Sequence, residues 1–372
     1  MKKRFALAAL LAAASAAHAA PDSFRNAGED MDARPYSIAV FGDWPYNRML
    51  LDNAQRLLDS VNADRAVRTV IHVGDIHSGS MPCTSADVLP PIAKSNPGWN
   101  LQVFATFQKF DAPLVYTPGD NEWTDCHKSK EGGSGAPLKE LAAVRKQFFS
   151  VPGRTLGVHA QDVTTQAKAF DPAYPADAQY VENVMWREGR VVFVTVNMPG
   201  SNNDGDNLQW TSPFTDAAAQ TLERETRTAA DIRWLEAAFA KARDEHAKAI
   251  VIAQQADMWD PAALGGDELY DYTPYVQRLA ELSLEFGRPV LLLNGDSHLY
   301  GADRPLADPA SATGRIHNTP AVPNLTRITV QGATNAPGEW LKLVVDPRSR
   351  EVFSWSNVPY CPNPSSTTGD CK

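Results

Sequence analysis

The chain has 372 residues, 43% hydrophobic, 21% charged and 9% aromatic. That composition excludes disorder, collagen-like repeats and a disulfide-held mini-scaffold, and the length suffices for one large α/β domain. The formal charge of −9, less the three positive charges of Lys2, Lys3 and Arg4 that leave with the leader described next, gives −12. No basic footprint remains for a nucleic-acid backbone or an anionic membrane.

Residues 1–19 open on Lys2-Lys3-Arg4, run through apolar Phe5 to Ala14 and close on Ala17-His18-Ala19. This is the three-part pattern of a secretory signal peptide, with cleavage expected after Ala19. The apolar stretch is shorter than the ~18–20 residues a membrane span requires, and no later segment reaches that length. The mature chain is therefore expected in the periplasm or outside the cell, with no membrane span.

Beyond the leader, short apolar runs at Ser37–Phe41, Thr69–Val73, Pro113–Thr117, Val191–Met198, Ala249–Ala253 and Pro289–Leu293 predict strands. Helical spacing of apolar residues falls between them at 48–62, Asp231–Arg243 and Thr273–Phe286. Strand-helix alternation predicts an α/β sandwich. The polar stretches 151–180 and 199–226 interrupt it and predict long loops with some local helix. In the last third, Leu325–Gln331, Trp340–Val345 and Glu351–Trp355 predict strands without intervening helices, accommodated by a second sheet packed on the first. The expected organisation is a signal peptide over 1–19, a single domain over 20–358 and a Cys-bridged tail over 359–372.

Four cysteines, Cys83, Cys126, Cys361 and Cys371, allow three pairings in an oxidising compartment. The local pairing is preferred: Cys361 with Cys371 ties down a Pro/Ser/Thr/Gly tail, which leaves Cys83 for Cys126. No C-x-x-C pair marks a zinc site.

Chemistry concentrates at the strand ends. Gly-Asp occurs seven times, and four copies directly follow an apolar run: Gly42-Asp43, Gly74-Asp75, Gly119-Asp120 and Gly295-Asp296. In a parallel sheet the carboxyl ends share one edge, where open α/β folds bind ligands. Carboxylates that converge there repel one another unless a cation neutralises them, and His298 adds a nitrogen donor. The competing role for each Asp is that of a turn former or helix N-cap.

From Ser37 to Val345 the sequence resembles the calcineurin-like metallophosphoesterases, which include purple acid phosphatases and many bacterial phosphodiesterases. The order D-x-H, G-D, G-N-H-[DE], a lone His after a strand, and G-H-x-H finds counterparts here. They are Asp43-Trp44-Pro45, Gly74-Asp75, Gly119-Asp120-Asn121-Glu122, Ala253-Gln254-Gln255 and Gly295-Asp296-Ser297-His298. The resemblance implies a four-layer αββα sandwich of two mixed β-sheets flanked by helices, and two divalent metal ions. Asp75 would bridge them, with Asp43 and His298 on the first metal. Asp120, Asp296 and one of Gln254 or Gln255, with Gln255 preferred, would hold the second. That oxygen-rich second site suits Mn²⁺, Mg²⁺ or Ca²⁺, while the first also admits Fe or Zn²⁺.

Pro45 stands where the family has a ligating histidine, so water, another loop residue or substrate must replace that donor. Asn121 stands where the family has a histidine that contacts phosphate, and it can hydrogen-bond an oxygen but supply no proton. His77 and His127 are the candidate acid–base groups. Trp44 and Trp123 follow ligand candidates and either wall the pocket or pack in the core. The polar loop carrying Asn202, Asn203, Asp204 and Asp206 either reaches the site or is solvated. The expected function is hydrolysis of a small phosphomonoester or phosphodiester. The alternative is a non-catalytic periplasmic metal- or ligand-binding protein on the same fold.

Overall fold

Successive side chains of a strand point to opposite faces, and the continuous apolar runs of the central strands bury both faces of two sheets. The structure is a computed structural model describing residues 34–83, 98–128, 135–264, 269–365 and 370–371. The leader expected over 1–19 lies outside the described residues.

The strands are β1 (Tyr36–Phe41), β2 (Val67–His72), β3 (Leu114–Tyr116), β4 (Thr164–Thr165), β5 (Val184–Glu188), β6 (Val191–Thr195), β7 (Ala249–Ala253), β8 (Val290–Asn294), β9 (Gly301–Asp303), β10 (Leu325–Thr329), β11 (Gly338–Val345) and β12 (Phe353–Cys361). A five-stranded sheet has the order β12-β11-β1-β2-β3, and a seven-stranded sheet the order β4-β5-β6-β7-β8-β10-β9. Both are mixed. The centre of the first is parallel from β1 to β3, and that of the second is parallel from β6 through β7 and β8 to β10.

The helices are α1 (Arg48–Asp52), α2 (Ala54–Asn62), α3 (Trp99–Phe107), α4 (Pro137–Phe148), α5 (Ala217–Asp244) and α6 (Thr273–Phe286). Three apolar interfaces separate the layers. Phe193, Val251 and Leu291 meet Ile38, Val40 and Ile71 between the sheets. Val192, Ile250 and Leu292 face the other way, onto Trp234 and Phe239 of α5 and Leu279 of α6. Ala39, Phe41 and Val70 lie under Leu57, Val103 and Val144 of α2, α3 and α4. The result is the expected two-sheet sandwich flanked by helices.

Several expectations need correction. The last-third strands form no sheet of their own: β10 joins β8, whereas β11 pairs antiparallel with β1 and carries β12. The helix expected over 48–62 is broken at Asn53, which caps the end of α1. The loop expected over 199–226 is helical from Ala217 onward, in a 28-residue helix whose N-cap Asp216 accepts a hydrogen bond from the Ala219 N–H. The first half of α5 buries Gln220, Arg224, Arg227 and Thr228. A polar buried face leaves no apolar periodicity to read.

The tail also begins later than expected, because Pro359 and Cys361 belong to β12 and pair with Glu339 and Gly338. Both local disulfides are formed, Cys83–Cys126 and Cys361–Cys371. Cys361 and Cys371 are buried in the core beneath the five-stranded sheet. Among the described residues, no helix is long and apolar enough to cross a membrane.

Candidate metal centre

Parallel strands deliver their carboxyl ends to one edge, and both sheets do so on the same side of the molecule. Asp43 and Asp75 follow β1 and β2, and the Asp43 N–H donates to Gly74 O at 2.9 Å. Asp120 follows β3, Gln255 follows β7, and Asp296 and His298 follow β8. Asp43, Asp75, Asp296 and His298 have φ of 49°, 62°, 75° and 64°, in the left-handed region. Asp enters that region more readily than most residues. The turn-former role and the ligand role therefore coincide, since the tight turn is what aims each carboxylate inward.

Two groups form on this floor. In the first, Asp43, Asp75 and His298 each offer a ligand atom, all within 4.8 Å of one another. Among the described residues, this is the one such group of three or more His, Cys, Asp or Glu. His298 Nε2 is 3.4 Å from Asp43 Oδ1. The Tyr46 hydroxyl sits between them, 2.7 Å from Asp75 Oδ2, 3.1 Å from Asp43 Oδ1 and 3.0 Å from His298 Nε2. Among the described residues, Asp43 Oδ2 is buried with no hydrogen-bond partner. An orphaned carboxylate oxygen carries a substantial desolvation cost, and a cation there would remove it. Two carboxylates, an imidazole nitrogen and a phenol oxygen are a donor set that fits a divalent cation.

In the second group, Gln255 lies between Asp120 and Asp296. Its Oε1 accepts a hydrogen bond from the Gly200 N–H, which turns its Nε2 toward Asp120 Oδ1 and Asp296 Oδ1, each at 3.1 Å. Gln255 was expected as a ligand through its amide oxygen. In the structure that oxygen faces backbone, and a nitrogen carrying two hydrogens faces the carboxylates. Gln254 points elsewhere, donating to Ala256 O.

The electrostatics of the floor are those of crowded acids. Burial and then the charges of Asp120, Glu122 and Asp43 push Asp75 well above the usual carboxylate range. Asp296 is raised by burial and then by Asp120. Burial lifts Glu122 to about 7. Burial also opposes the positive charge on His298, but the hydrogen bond and charge of Asp43 outweigh it and raise this imidazole. Buried like charges of this kind are relieved by protonation, by donors or by a cation.

A cavity of about 340 Å³ opens over the floor. Asp75, Asp120, Asn121, Asp296, His298 and Tyr46 line it, along with Asp125, Lys128, Ser201, Asn202 and an apolar wall of Leu208, Leu269 and Tyr272. Asn121 is at the site, but its Nδ2 faces Asp75 Oδ2 at 2.8 Å, His77 O at 3.1 Å and Tyr46 Oη at 3.2 Å. Its hydrogens thus hold the floor together. His77 and His127, the expected acid–base groups, are both corrected. Neither lines the cavity, and burial depresses each to about 4. His127 instead accepts from the Thr211 N–H at 3.0 Å and pins one loop to another.

Trp44 and Trp123 pack in the interior: Trp44 stacks on Phe107 and Trp123 lies under the Arg227 guanidinium. The polar loop after β6 does reach the site. Its residues Ser201 to Asp204 have φ between 52° and 62°, and Ser201 Oγ lies 2.8 Å from Asp120 Oδ2 and 2.7 Å from Asp125 Oδ1. Asp206 lies outside, paired with Arg224 at 2.8 Å.

Tyr46, Ser201 and Lys128 were not singled out from the sequence. The available signal for Tyr46 was the Asp-x-x-Tyr spacing after β1. Pro45, read as a lost ligand, immediately precedes it.

No protein-family model matches the chain, and no curated protein matches it. Among solved structures the chain is similar to GAP50, the anchor in the inner membrane complex of Plasmodium, at 10% identity and a TM-score of 0.39 over 87% of this chain and 89% of that one.

Proposed function

We propose that the protein is a divalent-cation-dependent phosphoric ester hydrolase of the calcineurin-like metallophosphoesterase type, exported to an oxidising compartment and acting on a small phosphomonoester or phosphodiester. The observation that carries this reading is the buried, partnerless Asp43 Oδ2 in a cluster with Asp75 and His298. Asp43, Asp75 and His298 would hold the cation, with the Tyr46 oxygen as a further donor. A cation in this position supplies the charge that polarises a phosphoryl oxygen and acidifies water.

The chain's own residues do the rest. Asn121 orients Asp75 and Tyr46 through its amide hydrogens. Lys128 lines the cavity with its ammonium paired to Asp125 Oδ1 at 2.5 Å and donating to Ser201 Oγ at 2.9 Å, a cation that an anionic ester would share. Leu208, Leu269 and Tyr272 form an apolar wall against which the ester's organic group excludes water. Export is supported by the leader pattern and by the two disulfides.

One observation favours the alternative, a ligand-binding protein without turnover: His298 is the one imidazole lining the cavity among the described residues. The two readings separate on metal analysis of purified mature protein and a screen of p-nitrophenyl phosphate and bis(p-nitrophenyl) phosphate. The protein is first treated with chelator and then supplied with Mn²⁺, Mg²⁺, Ca²⁺ or Zn²⁺. Cation-restored hydrolysis supports the enzyme. Cation retained without hydrolysis supports the binder, and no retained cation contradicts both.

A further inference from the structure

We propose that this centre holds one cation rather than the pair the resemblance implies, and that the Gln255 amide stands in place of the second. The proposal rests on the cation-dependent reading above and deepens it.

The Gly200 N–H donates to Gln255 Oε1 and so decides which end of the amide faces the floor. The Nε2 hydrogens are then shared between Asp120 and Asp296, one for each carboxylate at 3.1 Å. An amide nitrogen offers a cation no usable lone pair, and its hydrogens repel one.

The remaining oxygens of both carboxylates also meet donors. Ser201 Oγ is 2.8 Å from Asp120 Oδ2, and the Asp257 N–H donates to Asp296 Oδ2 at 3.0 Å. This contrasts with Asp43, whose Oδ2 is buried without a partner.

The Gln255 stem packs tightly against two glycines. A Cβ at Gly74 would lie 2.6 Å from Gln255 Cβ and Cγ, and one at Gly119 would lie 2.8 Å from Cγ. The position that the resemblance gives to a second metal is therefore occupied by an amide donor, oriented by the Gly200 N–H, that hydrogen-bonds two carboxylates.

Gln255→Glu tests this with a nearly isosteric change. It replaces the NH₂ with a third carboxylate oxygen beside Asp120 and Asp296, a set that demands a hard cation. The readout is Mn²⁺ stoichiometry by calorimetry and by metal analysis after gel filtration. One equivalent in wild type and two in Gln255→Glu are expected. Two equivalents in wild type would overturn the proposal while leaving the cation-dependent reading intact. No binding of Mn²⁺, Mg²⁺, Ca²⁺ or Zn²⁺ by wild type would remove both. A folded Gln255→Glu that still binds one equivalent would overturn the role given to the amide. Should that variant fail to fold, Gln255→His is the second variant, with the same expectation of two equivalents, and the wild-type stoichiometry stands by itself.

Discussion

Two pairs of carboxylates share one floor, and their charge is met in two ways. Asp120 and Asp296 face the hydrogens of Gln255. Asp75 faces the Asn121 amide and the Tyr46 hydroxyl, and Asp43 Oδ1 faces the same hydroxyl, His298 and the Asp296 N–H, but the buried Asp43 Oδ2 has no partner among the described residues. The carboxylate chemistry is the same, and three of the four are buried, with Asp296 half-buried. Both halves have an amide donor, so what separates them is the one buried Asp43 oxygen that no donor among the described residues reaches. On the Asp43 side the unmet acceptor coincides with a second carboxylate and an imidazole within 4.8 Å, and it is that coincidence which marks the site.

The largest effect that sharpens this contrast is expected from Asp75→Asn. Loss of this buried donor should weaken cation binding about 100-fold or more and abolish hydrolysis. The same change removes a repelled carboxylate, so the cation-free variant should melt higher than cation-free wild type. Asp206→Asn, outside the floor, should leave cation binding unchanged. Calorimetry and thermal melting in chelator read both effects. Equal cation affinities in the two variants would break the contrast.

Tyr46→Phe keeps the ring and removes the oxygen, and about a tenfold loss of cation affinity is expected. Affinity equal to wild type would take the phenol out of the donor set. Lys128→Met should act on substrate instead of cation. For an anionic ester KM should rise several-fold, about 1 kcal/mol, with cation stoichiometry unchanged. A change in stoichiometry would place Lys128 in the cation site.

The smallest effect concerns stability. His127 has a folded pKa of about 4 against an ordinary 6.5, so the unfolded chain takes up a proton that the folded chain refuses. Wild type should lose that stabilisation as pH falls from about 6.5 to about 4, and His127→Gln should not. The stability gap between the two, about 1 kcal/mol after allowance for solvent exposure, should close over that window. A gap independent of pH would contradict the structural role of this imidazole.

The strand ends were legible in the sequence because apolar runs ending in Gly-Asp mark both a buried parallel strand and its turn. Asp43, Asp75, Asp120 and Asp296 were found that way, and the two-sheet architecture came with the resemblance they carry. The first half of α5 was not legible, since Gln220, Arg224 and Arg227 face inward and present no apolar stripe. His77 and His127 look like acid–base groups in a sequence because burial is invisible there. The orientation of Gln255 depends on a backbone N–H 55 residues away in the chain, a contact no local pattern encodes. Tyr46 reaches Asp43, Asp75 and His298 only through the turn that Asp43 opens, a geometry the sequence around Pro45 does not display.

The most direct test is anomalous diffraction at the Mn²⁺ edge from crystals of the mature protein soaked in Mn²⁺. One peak is expected, within about 2–2.5 Å of donor atoms on Asp43, Asp75 and His298, with none between Asp120 and Asp296. A second peak beside Gln255 would contradict the contrast between the two halves of the floor. The absence of any peak at Asp43, Asp75 and His298 would contradict the cation centre itself.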